Sequence, residues 1–309
     1  MIAFPHEWQR PAKTEEWVYE TLTEKKVSSI FVEFIAFPWA TLIDLMERKK
    51  IDRVQRLISA LNDLPPKKTL VRATACQHIW VHKVEEFLKK IKITDLFWSH
   101  KVESENLLGS IHLHPMALYP VAYFAGEEVK AKSFPDRKYQ YSFIGAYDTQ
   151  GYISTIRDDI FNLPKIDQAF VLKRDQWHFE SHVYKIQIEG EMLDSLEFEN
   201  SNASMKLYKG VMLDSKVSLC PSGAGPNSIR LWESLALNSY PLILSDDLDL
   251  PENILNNGFV KTKEAELSQA THRILDGTHK YGGSFFNTAN DFILNITDDL
   301  FSRKFLSPR

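Results

Sequence analysis

Residues 217 to 251 read VSLCPSGAGPNSIRLWESLALNSYPLILSDDLDLP, and this stretch constrains the fold more tightly than any other part of the chain. An apolar run, a glycine turn, an amphipathic segment and a second apolar run follow one another directly. Residues 217 to 220 suit a buried parallel strand, and 221 to 226, Pro-Ser-Gly-Ala-Gly-Pro, form a tight open connection. A helix then starts at Asn227 or Ser228, both good caps, and Ile229, Leu231, Trp232, Leu235 and Ala236 gather on the side that faces the sheet. Residues 241 to 244 are the second strand. The unit is a β-turn-α-β.

Arg230 and Glu233 fall on the opposite side of that helix, three residues apart, with Ser228 at its mouth. A solvated ion pair is the plain reading of the two charges. A cation in the first turn, however, opposes the helix dipole unless an anion is placed beside it. A diphosphate would be that anion, held by the turn's N–H groups, the helix N-terminus and Arg230, while Glu233 would accept from two ribose hydroxyls. Gly223-x-Gly225 lacks the acidic residue that a dinucleotide fingerprint carries after its second strand, so a Rossmann cofactor is not expected.

With Leu219, Pro221, Gly223, Ser228, Arg230, Glu233 and Leu235, followed by Pro241, Ser245-Asp246 and Leu250-Pro251, the stretch resembles the nucleotide-sugar half of the exostosin family of glycosyltransferases. It departs from the family pattern at Asn238-Ser239. A looser match pairs Gly145 with the downstream Arg157. The resemblance implies α/β architecture of the GT-B type, two Rossmann-like domains facing a cleft, with a C-terminal helix crossing back. It implies an inverting transfer from a nucleotide sugar, expected to be UDP-linked, without a metal cofactor. The acceptor would be a hydroxyl of a glycan or a lipid-linked saccharide. The donor site is expected to draw on Gly145, Arg174, Pro221, Gly223, Asn227, Ser228, Arg230 and Glu233.

The polar stretch 126 to 138 divides the chain into an acceptor-binding domain, 1–125, and a nucleotide-sugar domain, 126–289, followed by a terminal helix within 290–309. In the first part, strands are expected over 28–37, 68–75, 94–98 and 110–113, and helices over 39–48, 52–62 and 81–91. In the second, strands at 139–144 and 168–172 flank a helix at 153–161, and a further helix covers 205–213. Arg174, Trp177 and His178 follow a strand end, where open α/β sheets bind ligands.

Composition narrows the function. The chain has 309 residues, 44% of them hydrophobic and 25% charged, enough for two cores. A net charge of -4 gives no basic face for nucleic acid. Cys76 and Cys220 sit in apolar runs and read as buried thiols, and no Cys or His spacing suggests zinc. The first 17 residues lack a basic start and an apolar core, so no signal peptide is expected. Residues 27 to 46 approach a membrane span, but Glu33, Pro38 and Asp44 interrupt it. A cytoplasmic enzyme is expected, with Arg303, Lys304 and Arg309 leaving room for a weak peripheral membrane contact.

An inverting transfer needs a proton acceptor across the cleft from the diphosphate. His78, at the end of a strand, is the first candidate, ahead of His112, His114 and Glu33. Asp247-Leu248-Asp249 has the form of a manganese-binding Asp-x-Asp, but its place beyond the second strand sets it apart from the donor site. Two rivals to the main reading stand. Phe198-Glu199-Asn200-Ser201 hints at a GDP-fucose-dependent enzyme, and the same fold also serves non-catalytic sugar-binding proteins.

Overall fold

The computed structural model describes residues 1–4, 6–24, 32–125, 133–176, 181–192 and 195–281. Parallel strands buried on both faces need long apolar runs joined by crossover helices, and the chain supplies two such sets. The first runs β1 (Ile2–Ala3), α1 (Thr14–Glu24), β2 (Val32–Ala36), α2 (Trp39–Glu47), α3 (Ile51–Asn62), β3 (Val71–Cys76), α4 (Glu85–Lys90), β4 (Asp95–Trp98), β5 (Leu107–Leu108), β6 (Ile111–Pro115) and α5 (Val121–Phe124). Its sheet has the order β1-β2-β3-β4-β6-β5, parallel except for the β5–β6 pair.

The second set holds β7 (Tyr139–Ala146), α6 (Ile156–Phe161), β8 (Ala169–Arg174), α7 (Ser195–Leu213), β9 (Ser215–Pro221), α8 (Ile229–Ala236), β10 (Tyr240–Leu244), α9 (Glu252–Asn256) and α10 (Leu267–Leu275). Its strands are all parallel, in the order β10-β9-β7-β8. The architecture is therefore mixed α/β with two parallel sheets. One hydrophobic cluster continues from Phe34, Ala73 and Phe97 through Met116 and Leu118 to Trp232, Leu219 and Tyr141, so the two sheets share a core.

Most expected elements are present, with shifted limits. The segment expected as one helix over 81–91 opens with a tight 3₁₀ turn at Val81–Val84 before α4. Helix α7 starts ten residues earlier than its apolar pattern suggests and runs through Gly210 without a break. Strand β1 and helix α1 are additions to the expected set. Cys76 and Cys220 are buried free thiols. Among the described residues, no helix is long and apolar enough to cross a membrane. The terminal helix expected within 290–309, with Arg303, Lys304 and Arg309, lies outside the described residues, as do Trp177 and His178.

Candidate functional site

Because β7, β8 and β9 are parallel, their C-terminal ends and the start of α8 lie on one side of the second sheet. There they enclose a pocket of about 80 Å³ lined by Gly145, Arg157, Arg174, Tyr208, Ser228, Arg230 and Glu233, among others. Three guanidinium groups thus meet, and Glu233 is the one acid among the described lining residues. Arg157 donates from Nε to the Ser222 carbonyl at 2.8 Å and from Nη1 to the Ala146 carbonyl at 3.0 Å. Arg174 donates to the Ser204 carbonyl at 2.9 Å. Arg230 donates from Nη2 to the Ile144 carbonyl and lies 4.3 Å from the Phe143 ring centre, but its buried Nε has no partner.

Burial, reinforced by the neighbouring Arg230, pushes Arg157 down to about 10. Burial lowers Arg174 as well. Both shifts are chiefly the cost of taking a cation out of water, with Arg230 adding to each. Ser228 sits ahead of α8 in extended conformation; its carbonyl accepts from the Leu231 N–H at 3.0 Å, and its side chain makes no cap bond to the helix.

The plain reading of Arg230 and Glu233 as a solvated ion pair does not hold. They are 7% and 1% exposed, because α5 and α7 cover the side of α8 that the sheet does not. Glu233 accepts from the Ala122 N–H at 2.8 Å and from the Tyr208 hydroxyl at 2.7 Å. Burial raises its carboxyl above the ordinary range, a shift only partly offset by those bonds and by Arg230. Each Glu233 oxygen is thus already engaged before any ribose arrives.

The glycines have separate reasons. A Cβ on Gly145 would lie 2.9 Å from Phe143 Cζ and 3.3 Å from Arg230 Nη2, and one on Gly223 would lie 3.1 Å from Arg157 Nη2. Gly225 is required by the other half of the chain, since its Cβ would be 2.6 Å from both His100 Nδ1 and Ile79 Cγ2. Pro221 is the last residue of β9 and lines neither this pocket nor the larger cavity beside it. Asn227 is committed to the fold, since its amide donates to the Ser99 carbonyl at 2.6 Å and accepts from Trp232 Nε1 at 2.8 Å.

The pocket opens beside a cavity of about 530 Å³ lined from both sheets. Tyr147, Tyr152, Arg157 and the 223–225 turn form its second-sheet wall, and Gln9, Asp44, Gln77, His78 and His100 its first-sheet wall. His78 reaches the cavity as expected, while His112, His114 and Glu33 do not line it. Glu33 pairs with Arg72 at the opposite end of the sheet, and His114 bonds Asp95 at 2.8 Å. Residues missed by sequence reasoning complete the wall. His100 follows β4 as His78 follows β3, which is a positional signal; it is buried, its Nδ1 has no partner, and burial pushes it down to about 3. Gln9 comes from the N-terminal arm, which offers no periodic signal.

Asp247 and Asp249 belong to a strap between the halves. The Asp249 N–H donates to the Lys101 carbonyl at 3.0 Å, the Glu103 N–H to the Asp247 carbonyl at 3.0 Å, and Lys101 Nζ pairs with Asp249 at 2.5 Å. Among the described residues there is no group of three His, Cys, Asp or Glu placed to hold a metal. Glu199 and Asn200, from the segment that hinted at GDP-fucose, are exposed on α7 and line neither space.

Scanned against protein-family models, the chain matches none, and no curated protein matches it. Among solved structures, the S. aureus MnaA-UDP co-structure aligns over 91% of this chain and 86% of its own, with 10% sequence identity and a TM-score of 0.42. A likeness that distant has no bearing on function.

Proposed function

We propose that the protein is an inverting glycosyltransferase of the GT-B type, resembling the exostosins, that moves a sugar from a UDP-linked donor to a hydroxyl of a glycan or lipid-linked saccharide. The observation that carries this reading is the convergence of Arg157, Arg174 and Arg230 on one small pocket at the start of α8, with Glu233 as the only acid among its described lining residues. A diphosphate has the charge to balance such a site and the oxygens to accept from the free Nε of Arg230 and from helix N–H groups. The donor sugar then extends into the larger cavity, and the acceptor enters from the first-sheet wall. As the bond to the anomeric carbon breaks, negative charge grows on the departing diphosphate, where the fixed guanidiniums stabilise it. Cations from the protein fill the place of a metal in this scheme.

In this reading residues 1–125 bind the acceptor and 126–289 the donor. Thermal unfolding in the presence of UDP, GDP, CDP and CMP tests it. A nucleotide at one hundred times its dissociation constant stabilises the fold by about 2.7 kcal/mol. UDP should give the largest shift. A larger shift with GDP would move the reading to a GDP-sugar enzyme, and no shift with any nucleotide would remove it.

A further inference from the structure

We infer that Asp44, and not His78, takes the proton from the acceptor hydroxyl. This rests on the transferase reading above and names a residue that reading leaves open. Both groups stand on the first-sheet wall of the large cavity. The Trp80 N–H donates to His78 Nδ1 at 3.0 Å. An N–H can only donate, so Nδ1 carries the lone pair and the ring hydrogen is on Nε2. Nε2 faces Asp44 Oδ1 at 3.3 Å and is its hydrogen-bond donor. Neither ring nitrogen of His78 is left to receive a proton, and protonating Nδ1 would set two donors against each other.

Asp44 is differently placed. It lies on α2, buried, where Oδ1 accepts from His78 and Oδ2 accepts from Gln9 Nε2 at 2.6 Å. A carboxylate offers about four lone-pair sites, so two remain after those bonds. Two fixed donors hold the group against the cavity wall, which makes His78 and Gln9 positioning residues. Across the cavity, Arg157 marks the donor side. In the transfer, the acceptor oxygen forms a bond to the anomeric carbon and the bond from that carbon to the phosphate oxygen breaks. The electron pair leaves with UDP, and the acceptor's proton passes to Asp44. Among the described residues, the first-sheet wall contributes a carboxylate, two amides and two imidazoles and no lysine or arginine, which fits a neutral or amino sugar better than a phosphorylated one.

The experiment measures UDP release from UDP-glucose, UDP-galactose, UDP-N-acetylglucosamine and UDP-xylose, with water as the acceptor, for the parent, Asp44→Asn and His78→Gln. The amide that replaces the carboxylate in Asp44→Asn would still accept from Gln9 but would not take a proton, so release should fall by a factor on the order of 100 or more. Its UDP affinity should stay within about threefold of the parent, a change of under 1 kcal/mol. The glutamine amide can donate to Asp44, so His78→Gln should keep at least about a tenth of the parent rate, far above the loss expected for a missing general base. Release by Asp44→Asn near the parent rate, or loss in His78→Gln as deep as a missing base would cause, overturns the assignment. If Asp44→Asn does not fold, Asp44→Ser, which removes the carboxylate from a smaller side chain, is measured in its place with the same expected loss. A parent that releases UDP from none of the four donors removes the transferase reading, and this inference with it.

Discussion

The Tyr208 hydroxyl donates to Glu233 Oε2 at 2.7 Å, and both residues line one pocket with Arg230, whose Nε is buried without a partner. This pair ties α7 to α8, so the acid on the candidate site is also part of the fold. Arg230 in turn lies 5.6 Å from the Tyr208 ring centre.

Glu233→Ala should therefore destabilise the protein as well as disturb the pocket. It leaves the Ala122 N–H and the Tyr208 hydroxyl buried without an acceptor, at about 1 to 3 kcal/mol for each unsatisfied group. Glu233→Gln, which keeps an acceptor, should lose less. Urea denaturation of both variants checks this, and an unchanged midpoint for Glu233→Ala would contradict the buried placement.

Gly145→Ala is expected to act on binding through Arg230. The added methyl would sit 3.3 Å from Arg230 Nη2 and against the Phe143 ring, so the guanidinium has to move. Misplacing a charged donor should weaken UDP binding by about tenfold or more, or roughly 1.4 kcal/mol. Calorimetric titration decides it, and parent-like affinity would place the diphosphate elsewhere.

Glu15 gives the fold a pH dependence. It is 4% exposed and accepts from the Gln77 and Ala40 N–H groups, each at 3.1 Å. Burial outweighs those bonds and pushes its carboxyl up to about 8 from 4.5. The folded state keeps a proton there that the unfolded state loses near 4.5, so its contribution is complete at low pH. It declines as pH rises from about 4.5 to about 8 and levels off above that, a loss on the order of a few kcal/mol. Glu15→Gln should flatten this trend. Urea midpoints at several pH values check it, and the same decline in both proteins would assign it to another group.

The strap gives a separate test. Asp249→Ala would leave Lys101 Nζ, on a side chain 3% exposed, with the Val102 carbonyl at 3.3 Å as its acceptor; Asp249 itself is 26% exposed, so the loss should be about 1 to 3 kcal/mol. Since Asp249 serves that pair, EDTA should leave UDP release unchanged. Activity abolished by EDTA and restored by manganese would contradict both the role of the strap and the metal-free scheme.

What the sequence discloses follows from the range of each signal. The β9-turn-α8-β10 unit is local, and its apolar periodicity sets its strands and helix nearly in place. Arg230, Ser228 and the glycine turn are legible for the same reason. The burial of Glu233 is not, because a helical wheel knows only one helix, and α7, which covers it, has weak amphipathic character. Asp44 looks like a break in an apolar stretch, and its partners Gln9 and His78 come from distant segments. Gly225 resembles any turn glycine until His100, from the other sheet, is found against it.

The measurement that bears most directly on the three-arginine pocket is calorimetric titration with UDP, UMP and uridine, for the parent and for Arg230→Ala. If the arginines hold the diphosphate, the parent binds UDP at least about tenfold more tightly than UMP, with uridine weakest. Removing Arg230 should cost UDP about 1.5 to 3 kcal/mol and shrink the gap to UMP, because a charge-assisted hydrogen bond to the phosphate is lost. Equal affinity of the parent for UDP and uridine, or a UDP affinity unchanged by Arg230→Ala in a folded protein, would contradict the account.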